Sequence, residues 1–267
     1  MSFETVNHYY SGQGVVLLAK RDALGNPLGF SAIGNVSDLK LALGVSTVDH
    51  KESTSGQRAT DLRLTTETKC SMSMTVENFI ASALADATRG EATNIASGTA
   101  TDEVVSIFPG KISSLAYIKA SSVVVKVGAT PKTLTPYPGA AGKWDYQTNL
   151  EAGSFMINPD ATKYDKLVAG DFTDGVASAK VSYSHEAQTR VDAMTTGAKE
   201  LWMRFEGLNT AEDNTPVIID VYRFQTDPLK ELSLISDTVQ SFVLEGSMLA
   251  DNTKTSGSKF FVVRKLS

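Results

Sequence analysis

From Leu39 to Val45 apolar and other residues alternate without a break, with Leu39, Leu41, Leu43 and Val45 on one side of an extended chain. A period of two predicts a half-buried strand over residues 35–48, one face packed and the other wet. The pattern returns in residues 59–66 and 70–76 through Leu62, Leu64, Met72, Met74 and Val76. Ahead of them, the compact run from Val15 to Lys20 reads as a strand, and Gly25, Asn26, Pro27 and Gly29 supply turn residues before the chain resumes. Between the first long strands lies "DHKESTSGQRATDLRL", Asp49 to Leu64, polar and rich in Gly and Ser. It reads as either a catalytic loop or a surface that another subunit covers.

The period then changes. Val76, Phe79, Ile80, Ala83, Leu84 and Ala87 follow helical spacing, with Thr75 as N-cap and Gly90 as stop. The narrow apolar stripe places this helix against a sheet face or edge. Residues 112–186 shift to short strands separated by Pro, Gly, Asn and Asp, the texture of a small inserted antiparallel module. Strong strands return after Ala198 as "LWMRFEGL", "PVIIDVYRF", "TVQSFVLEGSML" and "KFFVVRKL". "DPLKELSLIS" between the second and third reads as a short helix or an irregular bridge. The expected organisation is a mainly β domain in two parts, 1–111 and 187–267, interrupted by the module at 112–186.

Composition changes this picture little. The 267 residues suffice for a substantial core, and the net charge of -5 argues against a free-standing nucleic-acid binder. Cys70 is the single cysteine, so no internal disulfide forms and folding in a reducing cytosol is expected. The opening residues lack the cationic-then-apolar pattern of a secretory signal, and no apolar run approaches a membrane span.

No catalytic or metal-binding motif is legible along the chain. His8, His50 and His185 have no metal-binding spacing, and "SHEAQ" lacks the second histidine of a zinc-protease motif. No G-x-S-x-G elbow surrounds Ser11 or Ser55, which read as turn residues. "GQG" precedes a strand instead of opening a helix, and "GAAGKW" lacks the P-loop spacing. Acidic pairs such as Asp49 with Glu52 or Glu212 with Asp213 read as solvated faces. The expectation is a protein without enzymatic activity, cofactor or metal.

Two stretches carry a resemblance. "AKRDALGNPLGFSAIGNVSDLKLALGVSTVDHKESTSGQRATDLRL" and "RFEGLNTAEDNTPVIIDVYRFQTDPLKELSLISDTVQSFVLEGSMLAD" resemble the major tail tube proteins of long-tailed, siphovirus-type bacteriophages. The resemblance implies a β-sandwich or rolled barrel with one flanking α-helix, assembled as homo-hexameric rings stacked into a tube. It also implies a tape-measure protein inside, tail terminator and tail tip proteins at the ends, and DNA in transit only. Location would be the virion tail, assembled in the host cytoplasm, with no membrane contact. The tube of a contractile or type VI-like secretion machine is a related alternative. A carbohydrate-binding or adhesin-like β-sandwich is a different one, with Trp144, Tyr146 and Tyr164 as sugar-stacking candidates.

By the same resemblance, the loop after the first long strand projects and packs on a neighbouring ring, ordering as it does so. Lys51, Glu52, Ser53, Arg58 and Asp61 are then inter-ring candidates, against the plainer reading of a solvated hairpin loop. DNA is densely anionic, so a conduit wall should be acidic or neutral. Asp38, Lys40 and Glu245 are the lumen-facing candidates, assigned by alternation along the expected inner strands at 35–48 and 238–250.

Overall fold

The computed structural model describes residues 8–266. The expectation that the opening residues, Met1 to Gly14, carry no secretory signal falls in its first half on residues outside the described part. In chain order the first strands are β1 (Gly12–Lys20), β2 (Ser31–Ala32), β3 (Val36–Lys51), β4 (Thr60–Val76), β5 (Glu91–Ile95) and β6 (Gly98–Ile107), with helix α1 (Ala81–Ala87) before β5. Then come β7 (Ile112–Ser114), β8 (Ala120–Val127), β9 (Lys132–Thr133), β10 (Tyr146–Asn149), β11 (Ser154–Ile157) and β12 (Ala177–His185). The last are β13 (Gln188–Asp192), β14 (Glu200–Asn209), β15 (Thr215–Thr226), β16 (Phe242–Met248) and β17 (Phe261–Lys265). The protein is mainly β, with one α-helix among the described residues. That helix is far too short to cross a membrane, and no helix among the described residues is long and apolar enough to do so.

The chain divides into two units, Met1–Ala92 with Val191–Ser267, and Thr93–Arg190. The inserted unit is wider than the 112–186 expected. Its first long strand, β6, lies among residues assigned by sequence to the outer domain, but it pairs along its length with β12. Strand pairing between distant segments leaves no mark on local composition, whereas the Pro- and Gly-rich texture that set the expected boundary begins only after β6.

In the first unit one antiparallel sheet runs β2-β1-β14-β15-β16-β4-β3, with β17 also paired to β15. Its inward side chains make one core: Val16 and Leu18 from β1, Met72, Met74 and Val76 from β4, Met203 from β14, Phe224 from β15 and Leu244 from β16. Strands from both ends of the sheet therefore face the same interior, so the sheet is rolled. β1 and β3, which are not hydrogen-bonded to each other, line a cavity of about 780 Å³ with Phe205 and Ile219. Each fully buried Val, Leu, Met or Phe side chain of this core contributes about 1.5–3 kcal/mol. At one end, Arg21 binds Asp251 at 2.7 Å, and Glu200 binds Arg223 through both its oxygens, at 2.8 and 2.6 Å.

The helix is shorter than its periodicity predicts. Val76 is fully buried and pairs with Val36 and Phe242, so β4 continues through Thr75 and Val76 and Thr75 caps nothing. Ile80 stands at the N-cap without a side-chain bond. Ala83 and Ala87 turn into the core, and Ile80 packs beside them. At the other end the Gly90 amide donates to Ala85 O at 2.7 Å, past Arg89 in the left-handed region at φ 49°. "DPLKELSLIS" is an irregular bridge that anchors Leu229 and Leu232 on the core. β16 begins at Phe242, so the expected strand over 238–250 is shorter at both ends.

The second unit is a small sandwich. A four-stranded sheet, β6-β12-β8-β9, and a three-stranded one, β10-β11-β7, share a core that includes Ile107, Val125, Tyr146, Phe155, Ile157 and Val181. Asp145 is wholly buried. Its side-chain oxygens accept from the amides of Thr135 at 2.8 Å, Asp165 at 3.0 Å, Lys166 at 3.0 Å and Leu167 at 2.9 Å. It thereby ties the 165–167 turn to the start of β10.

Candidate functional site

The feature of the first unit that its core does not explain is the hairpin of β3 and β4, strands of 16 and 17 residues. At its base Leu39 faces Met74 and Leu41 faces Met72, and all four side chains join the core. Beyond Leu41 the ribbon leaves the core, and none of residues 42–69 belongs to it. From Ala42 to Lys69 only Ser46 and Glu52 are even partly covered. The expectation of one packed and one wet face over 35–48 thus holds at the base, and further out both faces are wet.

Three register shifts shape the ribbon. At the base Ser37 is an extra residue in β3, which lets Val36 and Leu39 both point into the core. Further out Ser46 opposes Glu67 while Thr47 opposes Thr65, so the extra residue is Thr66 of β4. The Thr66 hydroxyl donates to Ser46 O at 3.1 Å, closing the bulge. β3 itself alternates unbroken there, so Val48 turns to the face opposite Val45. Val48 opposes Leu64 and His50 opposes Leu62, which puts both leucines on that second face. Leu43, Val45, Val48, Leu62 and Leu64 are each at least half exposed.

Beyond a third shift, which leaves Asp61 extra in β4, the chain turns at residues 52–59. The turn is framed by Glu52: its amide donates to Ala59 O at 2.9 Å, and its carboxylate accepts from the Thr54 and Ser55 amides at 2.9 Å and from both hydroxyls. The bonds from Ser55, then those from Thr54, lower the Glu52 pKa from 4.5 to about 2. A depressed carboxyl pKa means that the frame is complete above the ordinary value and is lost as the pH falls through about 2. In an NMR titration the Thr54 and Ser55 amide resonances should stay unmoved through the ordinary carboxyl range and shift near pH 2. A midpoint at the ordinary value would show that the frame does not form.

The structure brings Lys51, Glu52, Ser53 and Arg58 together at this tip, with Ser53 exposed and Arg58 at φ 53°. Asp61 lies at the last bulge, bonded to His50 at 2.7 Å. Asp49 holds Arg63 through two bonds, at 2.6 and 2.9 Å, which lowers the Asp49 pKa and raises that of Arg63. Lys51 and Arg58 have no ion-pair partner among the described residues.

Asp38, Lys40 and Glu245 occupy the sheet face opposite the core. Lys40 and Glu245 both oppose Ser73, one on each side of it, while Asp38 opposes Thr75. Asp38 pairs with Lys40, and Glu245 with Lys230. Around them are Ala42, Ser71 and Ser247, so this face consists of small hydroxyls and compensated charges along a shallow groove of about 380 Å³.

The remaining sequence candidates are dispersed. His8 binds Glu212 at 2.9 Å, and His185 stacks on Tyr117 with ring centres 4.0 Å apart. Of the sugar-stacking candidates, Tyr146 and Tyr164 are buried in the second unit's core, where the Tyr146 hydroxyl donates to Val123 O at 2.9 Å. Only Trp144 is partly open, edge-on to Tyr137. Sequence reasoning passed over Thr66 and the face on which Val48, Leu62 and Leu64 stand; its one trace is the slip of phase between Val45 and Val48.

A rolled β unit with an inserted sandwich and a hairpin longer than its own core requires is the class of protein defined here. Residues 9–264 match the model of the family described as protein of unknown function UCP028589, and the chain belongs to that family. No curated protein matches it.

Proposed function

We propose that this chain is a structural subunit of a bacteriophage tail tube, self-assembling into stacked, hexameric rings around a tape-measure protein, with no catalytic step. In this reading it resides in the virion tail, and tail terminator and tail tip proteins bound the tube. The observation that carries the proposal is the hairpin: 27 residues from Leu43 to Lys69 stand outside any core and display apolar side chains. A two-stranded ribbon is marginal in water by itself, and contiguous exposed apolar surface marks a contact with another molecule. The neutral, hydroxyl-lined face at Asp38, Lys40 and Glu245 suits a conduit past which DNA slides without being held.

Negative-stain electron microscopy of the concentrated protein, with light scattering for mass, tests the proposal. Rings or hollow tubes are expected. A chain that stays monomeric at every concentration, alone and with its tape-measure protein, would overturn it. The sugar-binding alternative loses its footing with Tyr146 and Tyr164 in the core, and no feature of the first unit favours a contractile machine over a non-contractile tail.

A further inference from the structure

Resting on the reading of the chain as a self-assembling subunit, we infer that each hairpin is held by two different neighbouring copies, one on each face of the ribbon. The ground is the bulge at Thr66. On its near side the exposed apolar residues, Leu43 and Val45, continue the face that carries Leu39 and Leu41. On its far side Val48, Leu62 and Leu64 occupy the opposite face. A single flat surface laid along the ribbon covers one of these stripes and leaves the other in water. Covering both takes two surfaces.

Two observations assign those surfaces to copies of this chain. The exposed ribbon has 27 residues, the number that one side of a standard stable interface contributes, about 20–30. Its charge is also suited to a partner of this composition. Within Leu43 to Lys69, Asp49, Glu52, Asp61 and Glu67 are balanced by Lys51, Arg58, Arg63 and Lys69, so the whole net charge of -5 resides in the rest of the chain. Arg63 and Lys69 are taken up by Asp49 and Glu67. Lys51 and Arg58, without an ion-pair partner among the described residues, stand at the tip as two cations offered to an acidic neighbour.

Photo-crosslinking in assembled protein tests this. Full-length chains carrying benzoylphenylalanine in place of Val45, of Leu64, or of both are diluted into a large excess of unlabelled chains, assembled and irradiated. Because labelled chains are then isolated from one another, single labels are expected to give crosslinked pairs, and the double label a product of three chains. Leu43 and Leu62 provide a second pair of positions on the same two faces should either first label disturb assembly. If both doubly labelled chains give pairs only, one neighbour covers both stripes around the twisted ribbon, and the inference falls while assembly stands. Protein that neither assembles nor crosslinks overturns the self-assembly reading and this inference together.

Discussion

Leu64→Asp should yield a chain that folds as well as the original and does not assemble. Leu64 is 53% exposed and opposes Val48 on a stretch of ribbon with no core beneath it, so a carboxylate there costs the isolated chain no more than about 0.5 kcal/mol. In an assembled contact the same carboxylate is taken out of water without a partner. A penalty of roughly 3 kcal/mol per contact weakens each about a hundredfold, and in the proposed tube the contact recurs at every subunit. Leu64→Ile keeps the apolar volume and should keep assembly. Thermal unfolding and light scattering on the same samples separate the two effects. Normal tubes from Leu64→Asp would remove the hairpin from the interface, whereas a large fall in melting temperature would mean that Leu64 supports the monomer.

Asp145→Ala should unfold the second unit. The substitution removes the acceptor that now serves the amides of Thr135, Asp165, Lys166 and Leu167; Leu167 is buried and Thr135 half-buried, while Asp165 and Lys166 are exposed residues. A covered amide left unsatisfied costs about 1–3 kcal/mol, so those of Thr135 and Leu167 together cost about 2–6 kcal/mol, a large part of the stability of a domain of this size. Asp145→Asn retains one acceptor oxygen and turns a donor toward the amides, and should lose roughly half as much. Each unit carries its own tryptophan, Trp144 in the second and Trp202 in the first. Denaturant unfolding followed by fluorescence in single-tryptophan backgrounds should therefore show the Trp144 transition moving to lower denaturant while that of Trp202 stays. An unchanged Trp144 midpoint would mean that the turn at 165–167 holds without the carboxyl group.

How much of this was legible in the sequence depended on how local its cause is. The alternation at Leu39 and Leu41 and at Met72 and Met74 names the core face of β3 and β4, because side chains two apart on a strand share a face whatever surrounds them. The tip candidates Lys51, Glu52, Ser53 and Arg58 lie close together for the same kind of reason: they belong to one short turn. Tyr146 and Tyr164 failed as surface residues because aromatic side chains look alike in sequence whether they close a core or stand on it. Periodicity overstated the helix at Thr75 and Val76, since a helical spacing cannot reveal that β3 and β16 are waiting on either side to pair with β4.

Val36 with Leu39 and Val45 with Val48 show where the limit falls. Both pairs are three residues apart, and in the sequence both read as the same slip of phase. The first is absorbed by an extra residue in β3 itself and leaves both side chains in the core; the second meets its extra residue across the ladder, at Thr66, and turns Val48 to the other face. The sequence by itself determined the mainly β class, the strands whose inward faces build the first core, the polar turn between the two longest and the existence of an inserted module. Only the tertiary structure decided that β6 belongs to that module, that the hairpin outruns its core, and that its apolar stripe changes sides. The physical reason is common to all three: each depends on which residues of another strand stand opposite, and that pairing is a property of the folded ladder and not of the order of residues along either strand.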